Sequence, residues 1–376
     1  MKIKFFFSFI LILFLSCNKD IIVDSSPIGE NINSSTSNTG STSRSSNTGS
    51  TSGSSNTGST SGSSSLNINN NLYTIHKISD KIYVGGDGVL LYSDNNGITF
   101  NVVIETDLRI FNIYFENENQ GVLAGTNGGN SSGYKTSNGG VTWEGIFQSG
   151  YDPYGSEFTS GIYSSNEQEK IIILRNNGSY FGSIYFSENG GIDWDGGGLG
   201  SLSNSARNTA SSKSFLLNGN LYIAGGGYLG GSNGTSFFYS SFFQDNSTDL
   251  IDIRLGLRMD VSDLFFTSNY GYLVGTNTNG EGGYGISSDN GNNWTFKTIP
   301  GYGDGVYIDL TSVYFITDEI GFISTSNGDL LKTTNLGLTW TLIREGDGTR
   351  INDIEQISSN QLLMVGLEGM IEIFEF

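Results

Sequence analysis

Five copies of one eight-residue pattern, Ser/Thr-x-Asn/Asp-x-Gly-x-x-aromatic, punctuate this 376-residue chain and constrain its fold more than any other feature. The first is Ser93-Asp94-Asn95-Asn96-Gly97-Ile98-Thr99-Phe100, and the others occupy residues 136–143, 187–194, 287–294 and 333–340. They recur at intervals of 43, 51, 100 and 46 residues, and all four tryptophans of the chain close a copy. A turn signature returning at such spacing marks one supersecondary unit copied around a ring or along a stack, since a single unit cannot bury its apolar face alone.

The chemistry of the pattern is that of a tight turn. Its hydroxyl and amide or carboxylate positions (Ser93 and Asn95, Thr136 and Asn138, Ser187 and Asn189, Ser287 and Asp289, Thr333 and Asn335) can bond local backbone groups. Gly97, Gly140, Gly191, Gly291 and Gly337 supply the positive φ that the turn requires. The closing Phe100, Trp143, Trp194, Trp294 and Trp340 offer large apolar surfaces to a neighbouring sheet.

Between residues 66 and 376 the chain consists of short alternating or apolar strands separated by Gly, Asn, Asp and Ser, with no long helical period. Each unit has the order of Phe111-Asn112-Ile113-Tyr114-Phe115, then Val122-Leu123-Ala124-Gly125, then a strand running into the turn pattern, then a strand after its aromatic. The 100-residue gap is two periods, filled by a unit with an eroded turn whose second and third strands are Leu221-Tyr222-Ile223-Ala224-Gly225 and Phe237-Phe238-Tyr239-Ser240. The expected fold is all-β: a seven-bladed β-propeller of four-stranded antiparallel blades. Its last blade ends without a fourth strand, and Leu66-Asn67-Ile68-Asn69 is expected to close the ring by pairing outside residues 370–376.

These turns resemble the Asp-box, or BNR repeat, of bacterial sialidases, sortilin-type receptors and the photosystem II assembly-factor family of propellers. The resemblance covers five of the seven units and implies that the box is a structural turn away from the ligand site.

The N-terminus is a signal peptide in layout. Lys2 and Lys4 precede an apolar run over residues 5–15, and Ser16 precedes the only cysteine, Cys17. The run is about half of the ~20 residues that span a bilayer. Phe14-Leu15-Ser16-Cys17 resembles the lipobox of bacterial lipoproteins, with plain secretion the alternative. That resemblance implies acyl chains on Cys17, a membrane partner and a place in the bacterial cell envelope, at the outer membrane. Asn18-Lys19-Asp20 is similar to the charged export signals of surface lipoproteins in Bacteroidetes-type bacteria. Residues 17–65 form a Ser/Thr/Gly/Asn-rich tether with too little apolar surface to offset its ordering entropy. As a flexible coil, the 48 residues from 18 to 65 reach roughly 40 Å.

Charge excludes nucleic acid as a partner. The chain carries 18 Lys and Arg against 37 Asp and Glu, and phosphate backbones would be repelled. Sialidase chemistry would need a Phe/Tyr-Arg-Ile-Pro segment near the start of the domain, and Pro27, Pro153 and Pro300 all lack it. His76, the sole histidine, reads as a packed residue of the first strand. Runs such as Gly225-Gly226-Gly227 are not phosphate loops, because no Lys-Ser/Thr opening a helix follows them. No cofactor is expected; acidic turns such as Glu345-Gly346-Asp347 leave open only a structural calcium.

Loop lengths locate a binding face. The long connections over residues 148–157, 195–210, 243–256 and 299–306, and the second-to-third-strand loops, fall opposite the compact boxes. This face carries Tyr151, Tyr154, Tyr228, Tyr302 and Tyr307, and equivalent leading positions near the axis hold Arg109, Asp260, Asp309 and Arg350, which can meet a ligand or pair with one another. The expected role is a non-catalytic scaffold for a protein or glycan partner. A cell-surface glycoside hydrolase is the alternative.

Overall fold

The computed structural model describes residues 68–376 except 128–129, 149–156, 165–168, 178–180, 199–209, 227–235, 241–250, 255–258, 278–279 and 303–307. All of these fall within Thr57–Phe376, so the signal segment, Cys17 and the tether lie outside the described residues. The described part is all-β apart from one short 3-10 turn, Leu367–Gly369.

Antiparallel sheets follow one another in chain order. The first joins β1 (Leu72–Ile78), β2 (Lys81–Ser93), β3 (Asn101–Phe115), β4 (Gly121–Asn127), β5 (Asn130–Thr136) and β6 (Glu144–Gln148). In it, residues 101–105 of β3 pair with β2 and residues 109–115 pair with β4, so β3 ends one repeat and begins the next without a break. Four-stranded sheets then run from β7 (Glu157–Ser164) to β10 (Asp195–Gly198), from β11 (Ala210–Leu217) to β14 (Ile251–Arg254), from β15 (Met259–Phe266) to β18 (Thr295–Thr298), and from β19 (Leu310–Phe315) to β22 (Thr341–Arg344). A three-stranded sheet of β23 (Ile351–Ser358), β24 (Gln361–Gly366) and β25 (Ile371–Glu375) follows.

The apolar core sits between sheets. Tyr222 and Ala224 of one sheet share a cluster with Leu264, Phe266 and Leu273 of the next, and Tyr272 and Val274 do the same with Val313, Phe315 and Ile323. Ile357, Leu363 and Val365 of the final sheet cluster with Leu72, Ile82, Leu91 and Phe100 of the first.

A three-ring stack recurs at these seams. Tyr83 stacks on Phe115 at 4.2 Å, and the Trp143 edge meets the same ring at 5.9 Å. Tyr222, Phe266 and Trp294 repeat it at 4.2 and 6.1 Å, and Tyr272, Phe315 and Trp340 at 3.6 and 6.0 Å. The tryptophan thus leans on its own leading strand and on the preceding sheet, where edge-to-face contact suits the ring quadrupoles.

Each box is tied internally in the same way. Ser93 Oγ donates to Asn95 Oδ1 and accepts the Gly97 amide, both at 2.9 Å, and Asn95 Oδ1 also accepts the Thr99 amide at 3.0 Å. The Gly140, Gly191, Gly291 and Gly337 amides bond their hydroxyls at 2.9 to 3.1 Å. Two successive residues per box are left-handed, and in the last box one of them is Leu336 at φ 63°.

Two expectations are corrected. Ile68 and Asn69 do not pair with β25: Ile68 lies against Gly369 and packs on the cluster of Leu72, Leu363 and Val365, which leaves β25 the last strand of its sheet among the described residues. Leu66 and Asn67 are outside the described residues. The 243–256 span is not one long loop either, because Ile251–Arg254 pairs with β13 (Ser236–Ser240) and supplies the fourth strand of the eroded unit.

Ser93→Ala removes a buried acceptor of the Gly97 amide and should cost about 1–2 kcal/mol in denaturant unfolding. Leu336→Asn, which tolerates the left-handed conformation better, should gain on the order of 0.5–1 kcal/mol in the same assay.

Candidate functional site

The leading strands β1, β3, β7, β11, β15, β19 and β23 share one irregularity. Register breaks between Leu72 and Thr74, Ile110 and Asn112, Phe158 and Ser160, Ser211 and Lys213, Val261 and Asp263, Leu310 and Ser312, and Ile351 and Asp353. A bulge inserts one residue and re-aims the side chains that follow. Opposite it, a Cβ on Gly125, Gly275 or Gly366 would collide with the carbonyl of Arg109, Asp260 or Arg350, so only glycine permits the close approach.

The residue after the bulge bonds the next leading strand. Asn112 Oδ1 accepts the Gly161 amide at 2.8 Å, Asp263 Oδ2 the Val313 amide at 2.9 Å, and Asp353 Oδ2 the Ile75 amide at 2.8 Å. Ser312 Oγ donates to Asp263 Oδ2 at 2.8 Å and lies 3.2 Å from Asp353 Oδ1. Each Asp also accepts the amide of its successor, Leu264 or Ile354, at 2.9 Å.

Two residues further along, on the same strand face, side chains abut across strands. His76 and Tyr114 ring centroids are 5.5 Å apart, Phe215 and Phe265 5.2 Å, and Phe265 and Tyr314 5.0 Å. Tyr314 hydrogen-bonds Glu355. The Phe115 amide donates to His76 Nε2 at 3.0 Å, and burial lowers the imidazole pKa to about 4, so His76 is neutral near pH 7. Glu355 moves the other way. Loss of water on burial and then the Asp353 charge push its carboxyl up to about 8, with the Tyr314 bond and Lys77 opposing and Asp263 adding to the rise.

At the rim, two of the four leading-position charges pair with each other and a third pairs with Asp87. Arg350 lies 3.2 Å from Asp309, whose other oxygen accepts from Thr276 at 2.6 Å. Arg109 lies 3.0 Å from Asp87, which also accepts from Asn71 and Tyr73 at 3.0 Å. Asp260 is exposed at the start of β15, yet partial loss of water, followed by the nearby Asp309 charge, raises its pKa.

The tyrosines fare differently. Tyr302 is buried in the seam between the sheets of β15 and β19 and donates to Asp329 Oδ2 at 3.0 Å, which corrects its assignment to an open binding face. Its hydroxyl can reach a buried carboxylate, and that bond offsets the loss of water. Tyr151, Tyr154, Tyr228 and Tyr307 lie outside the described residues. At the 345–347 turn, Asp347 Oδ1 accepts the Thr349 amide at 2.9 Å. Among the described residues no group of three or more His, Cys, Asp or Glu side chains is placed to hold a metal ion.

Sequence comparison finds no matching family model and no matching curated protein. Solved structures do match in shape. YCF48 from Cyanidioschyzon merolae has a TM-score of 0.61 at 17% identity, covering 82% of this chain and 97% of that one. YCF48 bound to D1 peptide has 0.59 at 15%, covering 83% and 95%. The GH74 enzyme of Niastella koreensis has 0.54 at 16%, covering 80% of this chain and 51% of the enzyme. At these identities the likeness shows the fold alone, and that fold is the β-propeller.

The Glu355 shift sets a pH dependence. The folded chain retains a proton that the unfolded chain loses above its ordinary value of 4.5, so stability falls as pH rises from 4.5 to about 8 and is level beyond. Glu355→Gln should abolish this slope. For a half-buried group the gain over the parent at pH 8 is about 1–2 kcal/mol, with none at pH 4, measured by denaturant midpoints.

Proposed function

We propose that this chain is a seven-bladed propeller, anchored by acyl chains on Cys17 to the bacterial envelope and serving as a non-catalytic scaffold that binds a protein partner on the rim where the leading strands begin. One observation carries the reading. Asn112, Asp263 and Asp353 direct their axial oxygens at the backbone amides of neighbouring strands, whereas Arg109, Asp309 and Arg350 retain side-chain exposures of 56%, 41% and 33% at the rim. Polar groups committed to backbone amides stabilise the fold; exposed charges on a rigid scaffold are available to a partner. The solved YCF48 complex with D1 peptide supports the reading, since a propeller of similar shape accommodates a peptide. The lipobox resemblance supports the anchor, and the boxes, being tied internally, are turns on the opposite side.

A glycoside hydrolase is the second reading, favoured by one feature: Glu355, protonated near neutrality, stands beside Asp353. A raised acid next to a second carboxylate is the arrangement that glycosidases use. Glu355→Gln without effect on any glycan-cleaving activity of the purified protein would remove that reading.

Capture from labelled cell envelopes tests the scaffold. The Arg109→Ala/Arg350→Ala variant should recover its partner about tenfold less well than wild type, and wild-type recovery should fall with added salt. Equal recovery by both would move the partner off this rim. Cys17→Ser should lose incorporation of labelled palmitate and leave the membrane fraction; retention of both would refute the anchor.

A further inference from the structure

All six large hydrophobic side chains that stand exposed among the described residues belong to one rim. Ile98, Val141, Ile192 and Leu338 are 65%, 75%, 70% and 54% exposed, and all four occupy the sixth position of a box. Val102 and Leu342, at 40% and 46%, sit two residues beyond the aromatic that closes the box. Isolated surface aliphatics need no explanation, but four at the same position of four repeated turns are not a scatter. The fifth box has Asn292 at this position.

We infer that this box rim rests in the polar-apolar interface of an uncharged or zwitterionic lipid surface, so that the opposite rim faces away from the membrane. Three observations choose lipid over a protein groove. Equivalent positions in repeated turns place Ile98, Val141, Ile192 and Leu338 at the same end of their repeats, on four separate turns. A planar interface can receive separate insertions at one depth, whereas a protein partner needs one contiguous apolar patch. The five boxes contain Asp94, Glu188, Asp193 and Asp289 and no Lys or Arg, so an anionic surface would repel them. The inference rests on the proposed anchor in one respect: acyl chains on Cys17 would hold the chain at a membrane.

The test uses the full acylated chain in phosphatidylcholine and phosphatidylethanolamine vesicles. A fluorophore is placed by Asn292→Cys on the box rim, or by Glu345→Cys on the opposite one. Spin-labelled lipid should quench the label at position 292 and leave the label at 345 bright. Adding Ile98→Ser, Val141→Ser, Ile192→Ser and Leu338→Ser should weaken quenching at 292 about threefold while the thermal midpoint stays unchanged, because these side chains contribute little to the core. Equal quenching at both positions would overturn the inference. So would shielding of position 292 from an aqueous quencher without quenching by lipid, the result expected of a protein partner or a second copy. Palmitate labelling reports on the anchor independently, and an unacylated chain added to vesicles from outside still yields the quenching pattern. Loss of the anchor and loss of lipid docking therefore give different results.

Discussion

The structure depends on bonds between side chains of one leading strand and the backbone of the next. Asp263 to the Val313 amide, Asp353 to the Ile75 amide and Asn112 to the Gly161 amide join elements that no sheet ladder connects. Apolar packing between sheets is strong but non-directional, and alone it would let neighbouring sheets slide. A carboxylate accepting a backbone N–H in a confined place is directional and stronger than a neutral bond, and it fixes each sheet against the next. The bulge makes this possible, because an uninterrupted strand would aim the same residue elsewhere. Glycine on the second strand makes the bulge possible in turn.

A second set of contacts works farther from the axis. Tyr83, Tyr222 and Tyr272 each reach to a phenylalanine of the following repeat, and the box tryptophan closes the stack from the side. The tyrosine can sit there because its hydroxyl finds a carbonyl at the far end: Gly139 for Tyr83 at 2.9 Å and Asp318 for Tyr272 at 3.2 Å. Box, stack and bulge are thus one repeated arrangement viewed at three radii, and polar and apolar terms agree at each of them.

The sequence makes the repeat legible through its boxes, because their turn chemistry admits few residue types. The strands follow by spacing from Trp143, Trp294 and Trp340. The cross-strand bonds are harder to see, since a lone Asn or Asp inside an apolar strand looks like noise in a period-two pattern. A signal exists all the same: Asn112-Ile113-Tyr114-Phe115, Asp263-Leu264-Phe265-Phe266 and Ser312-Val313-Tyr314-Phe315 share a polar, aliphatic, aromatic, Phe order. Tyr302 reads as a surface residue because loop membership says nothing about a carboxylate, Asp329, that arrives 27 residues later. The strand at Ile251–Arg254 has no mark in the sequence, because the box before it is eroded and no aromatic opens it. Glu355 carries no sequence mark at all: its proton is held first by loss of water on burial, which only the folded chain brings about, and then by the Asp353 charge.

The placement of the indoles gives the molecule a built-in optical gauge. Trp143, Trp194, Trp294 and Trp340 each belong to a different repeat, and their ring nitrogens differ: those of Trp194 and Trp294 donate to the Gly191 and Gly291 carbonyls at 3.0 and 2.8 Å, that of Trp340 bonds the Tyr284 hydroxyl, and that of Trp143 is buried without an acceptor. Emission from the four need not change together. A disturbance that parts one pair of sheets would alter one chromophore and leave the rest as local references, so intrinsic fluorescence can report which repeat yields first.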